Sequence, residues 1–174
     1  MKTLIYFDHN ATTPLHPEEK KIMVDNLDSF GNPSSLHQFG RATLKKINQA
    51  RETISNFIGA KTDELIFVGS GSEANNTVLS SLGCSLKNCF CHKSKKNHLI
   101  TTEIEHPCVL ESSHCLKGKG VDVSFLKVDQ YGKIKIDELK NLLSDNTAIV
   151  SIMMANNEIG TIQEIQKISE IVHN

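Results

Sequence analysis

Apolar positions keep a helical spacing through the first third of the chain and switch to a strand-then-helix rhythm afterwards. Residues 17–29 place Pro17 at a first-turn position and follow it with Ile22, Met23 and Leu27, which predicts a helix. Gly31-Asn32-Pro33-Ser34-Ser35 breaks it, because these residue types favour turn dihedrals and local side-chain bonds over helix. Leu44, Ile47, Ile54, Phe57 and Ile58 then recur as one stripe, predicting a helix over 36–58 closed by Gly59.

From Glu64 onward the period changes. Leu65-Ile66-Phe67-Val68 reads as a short apolar strand, and 72–82 as a helix. Leu99-Ile100 is a second strand with a helix over 107–116. Val121 to Phe125 alternates as a third strand, and 137–143 is helical. Ala148 to Met153 is a near-continuous apolar strand, suited to burial on both faces, and 162–172 is a last helix. Alternating short strands and helices predict an α/β fold: a partial, mostly parallel sheet with flanking helices. The organisation expected is a helical segment over 1–58 and the first part of an α/β domain over 59–174, with no repeat or low-complexity linker between them.

In such a sheet the ligand site gathers at the carboxyl ends of the strands. Three polar clusters fall there. Gly69-Ser70-Gly71-Ser72-Glu73 can turn sharply into a helix whose free N–H groups and dipole suit a phosphate, with the Ser72 hydroxyl as a further donor. The same residues also read as a capping box of Ser70 with Glu73, which any helix can use. His106 stands between a strand and a helix, behind Glu103 and Glu105 and before Pro107. Its imidazole is either a proton carrier beside a reacting group or a polar residue at a helix start. Asn156-Asn157-Glu158-Ile159-Gly160 offers an amide donor or, equally, an Asx-turn ended by glycine.

Totals narrow the field. The chain has 174 residues, a formal charge of −1 and 22% charged residues, so charge gives no reason to expect a nucleic-acid or membrane partner. No apolar run approaches the roughly 20 residues that cross a bilayer. Met1 to Tyr6 meets polar Asp8-His9-Asn10 too soon for a signal peptide, and no Arg-rich amphipathic leader is present. Five cysteines without an export signal point to reduced thiols and a cytoplasmic location. Cys84, Cys89 and Cys91 lie in a segment, Gly83–Lys96, that reads as a basic insertion. Cys89-Phe90-Cys91-His92 is a poor zinc pattern, and no metal site is expected.

Tyr6-Phe7-Asp8-His9-Asn10-Ala11-Thr12-Thr13-Pro14, Gly31-Asn32-Pro33-Ser34-Ser35-Leu36-His37, Ser72-Glu73-Ala74-Asn75-Asn76, Glu105-His106-Pro107 and Asn156-Asn157-Glu158-Ile159-Gly160-Thr161 together resemble the ordered motifs of cysteine desulfurases. These are pyridoxal-phosphate enzymes of the class V aminotransferase group. The resemblance spans nearly the whole chain. It implies the N-terminal half of a fold type I cofactor domain, and pyridoxal 5′-phosphate as cofactor. Gly71 and Ser72 match the positions that hold the cofactor phosphate, where the family more often has Ala-Thr. His106 matches the histidine that stacks on the pyridine ring and handles protons. Asn157 matches the asparagine that bonds the cofactor's 3′ oxygen near the substrate. Asn10, Ala11 and Thr12 match the segment bordering the substrate pocket. The implied substrate is L-cysteine, converted to L-alanine with sulfur held as a persulfide. A sulfur-acceptor or iron–sulfur scaffold protein, or tRNA thiolation, would receive it, and a full-length enzyme would be a homodimer. Selenocysteine lyase shares much of this motif set.

The resemblance also marks absences. No Ser-x-His-Lys segment follows the asparagine motif, so the lysine that bonds the cofactor is not among these residues. Nor are the aspartate for the pyridine nitrogen, a cofactor-contacting glutamine, the substrate-gripping arginine or the acceptor cysteine matched by motif. The expectation is therefore an incomplete domain with an open sheet edge, ending at Asn174 inside a helix, and inactive by itself. A non-catalytic product that folds poorly, or that pairs with a full-length protomer as a binding module, is the alternative.

Overall fold

The computed structural model describes residues 5–83 and 96–173. They divide into two compact units, Met1–Phe67 and Val68–Asn174. The segment with Cys84, Cys89 and Cys91 lies outside the described residues.

The first unit is helical. Helix α1 runs Pro17–Asp25, with the His16 ring accepting the Glu18 N–H and the Glu19 carboxylate accepting the His16 N–H. It stops short of the expected residue 29, since the Asn26 side-chain amide donates to the Ile22 carbonyl and caps the last turn. Helix α2 runs Gln38–Ile58 and ends on Gly59 in a left-handed conformation at φ 72°. The Gly31–Ser35 turn packs against the start of α2: a Cβ on Gly40 would fall 2.4 Å from the Ser35 carbonyl oxygen and 2.6 Å from that of Asn32. Only glycine admits this approach. The stripe predicted for α2 forms at the right spacing but is not a core. Leu44, Ile54, Phe57 and Ile58 are exposed, and only Gly40 and Ser55 are buried on this helix.

The second unit is the α/β layer. It holds α3 (Gly71–Ser80), a 3-10 turn at Ser81–Gly83, β1 (His98–Thr102), α4 (Pro107–Gly118), β2 (Asp122–Leu126), α5 (Ile136–Leu142), β3 (Thr147–Ser151) and α6 (Ile165–His173). The strands form one parallel sheet in the order β2-β1-β3. β1 is buried at all five positions, and successive residues feed opposite layers. Leu99 joins Leu79, Val109, Leu116, Val121 and Val123 under α3 and α4. Ile100 joins Leu126, Ile134, Leu139 and Ile168 under α5 and α6. A sheet covered on both faces is what parallel pairing requires.

Two expectations are corrected. Leu65–Val68 forms no strand, because no partner ladder lies beside it among the described residues; Ile66 is 77% exposed. The apolar run expected over 148–153 does form a strand, β3 at Thr147–Ser151, but as an edge strand half-buried throughout. The place fully covered on both sides goes instead to β1, which carries a histidine and two threonines. That placement is possible because His98 is satisfied: its Nδ1 lies 3.0 Å from Thr147 Oγ1 and its Nε2 2.9 Å from Ser124 Oγ, so one ring ties all three strands. No helix among the described residues is long and apolar enough to cross a membrane.

Two outcomes follow. His98→Ala strands two hydroxyls and opens a void, and should lower the stability of the second unit by about 2–3 kcal/mol in urea unfolding; a loss below about 0.5 kcal/mol would show that the clasp contributes nothing. Gly40→Ala should destabilise α2 by at least about 1 kcal/mol through backbone overlap, read as lost helical circular dichroism.

Candidate active site

Two of the three clusters follow a strand in the second unit, after β1 and after β3; the first, at 69–73, opens α3 with no strand before it. Ser70, extended at φ −164°, is the N-cap of α3, and its hydroxyl accepts the Glu73 N–H at 3.1 Å. The Glu73 carboxylate folds back to Gly69 N at 2.6 Å, one residue earlier than a capping box would take it. Among the described residues nothing occupies the Gly71 and Ser72 N–H groups or the Ser72 hydroxyl. Both residues are exposed, and a Cβ on Gly71 would meet nothing within 4 Å.

α3 and α4 run side by side in the same direction. Asn75 Nδ2 donates to Cys108 Sγ at 3.3 Å, Ser112 bonds Asn76 further along, and Gly83 lies against Leu116 near the far ends. Their N-termini therefore share one end of the layer. His106 is the N-cap of α4: its Nδ1 accepts the Cys108 N–H at 3.1 Å, and Pro107 follows at N1. A ring that accepts at Nδ1 carries its proton at Nε2, which leaves an N–H directed away from the helix on an exposed side chain. The histidine is thus a helix cap through one nitrogen and a free donor through the other.

The third cluster separates two asparagines. Asn156 is 8% exposed and structural: Oδ1 accepts the Glu158 and Ile159 N–H groups at 2.9 and 3.0 Å, while Nδ2 donates to the Ile104 carbonyl at 2.8 Å. Asn157 is exposed, with its Nδ2 donating to Glu158 Oε1 at 2.9 Å. So the turn after β1 and the turn after β3 are joined, and His106 and Asn157 stand on the same sheet edge. Asn10, Ala11 and Thr12 lie in the first unit, in an exposed turn where the Ala11 and Thr12 N–H groups donate to the Asp8 carbonyl.

Sequence reasoning passed over Glu105. It was placed in the polar cluster before His106 without a role of its own, yet Glu105 is only 6% exposed. Its Oε1 accepts the Met153 N–H at 2.7 Å and the Thr102 hydroxyl at 3.2 Å. Burial pushes its carboxyl above the ordinary value of 4.5, while the bonds from Met153 and Thr102 pull the other way. The signal available was position: an acid three residues past a buried strand, directly before the histidine. Thr101 Oγ1, on the α3 and α4 side of the same strand, is the one buried side-chain polar atom without a partner among the described residues. No group of three or more His, Cys, Asp or Glu among them could hold a metal ion.

The class-V aminotransferase model matches residues 5–174. The chain belongs to that family. It is 45% identical over 172 residues to cysteine desulfurase IscS of Dictyoglomus turgidum, covering 98% of this chain and 42% of that protein. With cysteine desulfurase IscS of Methanosarcina thermophila the figures are 40% identity, 96% and 40%. A solved NifS-like protein superposes at a TM-score of 0.87 with 35% identity, covering 97% of this chain and 45% of that one. A structure described as SspA in complex with cysteine gives 0.86 and 36%, covering 97% and 47%. The chain thus spans less than half the length of these relatives.

A raised carboxyl has a signed consequence. Relative to the unfolded chain, Glu105 stabilises the fold below its ordinary value, and that contribution is lost as pH rises through the higher folded value. Glu105→Gln should therefore gain on the wild type as pH rises from about 4.5, read as the difference in urea midpoints across a pH series. A constant difference would exclude the burial effect.

Proposed function

We propose that this chain carries the phosphate-holding and ring-facing part of a pyridoxal-phosphate-dependent cysteine desulfurase. The observation that supports it best is the shared end of α3 and α4, which presents the Gly71 and Ser72 N–H groups, the Ser72 hydroxyl and the His106 Nε2–H beside the turn bearing Asn157. The donor set fits a phosphorylated, hydroxylated aromatic ring: backbone N–H groups at a positive helix end for the dianion, a planar imidazole for the ring face, and an uncharged amide for a ring oxygen.

In this reading the α3 terminus binds the phosphate and fixes the ring's register. His106 covers the ring and holds a proton at Nε2, because Nδ1 is committed to capping α4. Asn157 donates to the ring oxygen and faces the substrate. Once bound, the cofactor supplies an electron sink for bonds at the substrate's α-carbon. The substrate is L-cysteine, the products L-alanine and a protein-held persulfide sulfur for iron–sulfur assembly or tRNA thiolation. The working enzyme is a cytoplasmic homodimer. In this reading the lysine and acceptor cysteine that complete the chemistry are not among these 174 residues.

Pyridoxine 5′-phosphate has the ring and phosphate but no aldehyde, so it probes the site without reacting with lysines. Titrated into the 15N-labelled chain, it should shift the Gly71, Ser72, His106 and Asn157 signals together. Ser72→Ala should weaken it about tenfold, the effect of one charge-assisted hydrogen bond. Shifts confined to other residues, or no saturation at all, would sink the reading. With pyridoxal phosphate itself, borohydride should trap no adduct at a unique lysine of the 174-residue chain; a unique adduct would place the covalent step within these residues.

A further inference from the structure

Two dipeptides on the candidate site share one arrangement. In each, a buried polar residue comes directly before an exposed one: Glu105 before His106, and Asn156 before Asn157. The buried members reach across to each other's segments. Glu105, on the turn after β1, accepts the Met153 N–H at 2.7 Å from the segment after β3. Asn156, on that second segment, donates to the Ile104 carbonyl at 2.8 Å on the first. Each residue also locks its own turn, Glu105 through the Thr102 hydroxyl and Asn156 through the Glu158 and Ile159 N–H groups. A single bond between two segments leaves them free to pivot. Two bonds, one from each segment's side chain to the other segment's backbone and made by buried groups braced at both ends, fix separation and twist together.

We propose that Glu105 and Asn156 are positioning residues that lock the two turns into one unit and so present the His106 imidazole and the Asn157 amide at a fixed separation. This rests on the reading that those two exposed side chains face the cofactor. Neither buried residue touches the ligand; each acts through the backbone of the residue that follows it. Glu105 serves as an acceptor, so a neutral side chain of the same shape fulfils its part. Asn156 must both donate and accept, and no single substitution keeps both.

The experiment uses the complete 15N-labelled chain and its Glu105→Leu, Glu105→Gln and Ile168→Val variants. In Glu105→Leu, the Met153 backbone amide and the Asn157 side-chain amide should both shift, and pyridoxine 5′-phosphate binding should weaken about tenfold. Glu105→Gln should restore both. Ile168→Val lies in the α5 and α6 layer and should lower the unfolding midpoint without moving either signal, which separates positioning from general stability. Unmoved Asn157 signals in Glu105→Leu, or shifts of equal size in Ile168→Val, overturn the proposal. Should Glu105→Leu fail to fold, Asn156→Asp keeps the acceptor for Glu158 and Ile159 but removes the amide that donates to the Ile104 carbonyl and to Met153 Sδ, and should shift the His106 ring signals; unmoved signals again overturn it. If the wild type does not bind the probe while the Asn157 shift and its restoration are seen, the positioning role stands and the cofactor reading falls.

Discussion

Parallel pairing is the constraint from which the rest of the second unit follows. Strands that run the same way cannot be joined by a tight turn, so each connection must travel back across a face of the sheet as a helix. Here α4 takes one face, and α5 and α6 the other. The carboxyl ends of all three strands are thereby gathered on one edge, and the residues leaving them become neighbours however far apart they are in sequence. His106 and Asn157 stand on one sheet edge for this reason and no local one.

Placing β1 at the centre has a polar cost that the fold meets almost completely. A histidine and two threonines are buried in the strand covered on both sides, and each needs a partner in a medium that offers no water. His98 takes hydroxyls from both neighbouring strands, and Thr102 donates to Glu105. The two ends of β1 are thus held differently: a ring clasp at the amino end, a carboxylate bridge at the carboxyl end. Thr101 is the exception among the described residues.

Much of this was legible in the residues. The three strands and the helices between them come from apolar runs and their spacing, and each formed within a few residues of expectation. The rule that gathers residues at strand ends placed two of the clusters, after β1 and β3, while the one at 69–73 has no strand before it. What the chain did not disclose is anything set by pairing order. Leu65–Val68 has a strand's composition but lacks a ladder beside it, and the most apolar strand fell at the edge, since order depends on which way each connection crosses. The stripe on α2 predicted the helix but not its exposure, because a stripe is buried only where another surface meets it. Glu105 stayed hidden for a related reason: burial of a charge is decided by segments distant in sequence.

The alternation of buried and exposed side chains in Glu105-His106 and Asn156-Asn157 bears on how such a rim can change over generations. Substitutions at the outward member disturb few packed atoms, costing at His106 the α4 cap alone, whereas those at the inward member unsettle two loops at once. Selection can thus retune reactivity at the outer positions while the inner pair stays under purifying pressure. Chemical novelty and scaffold maintenance are assigned to adjacent codons.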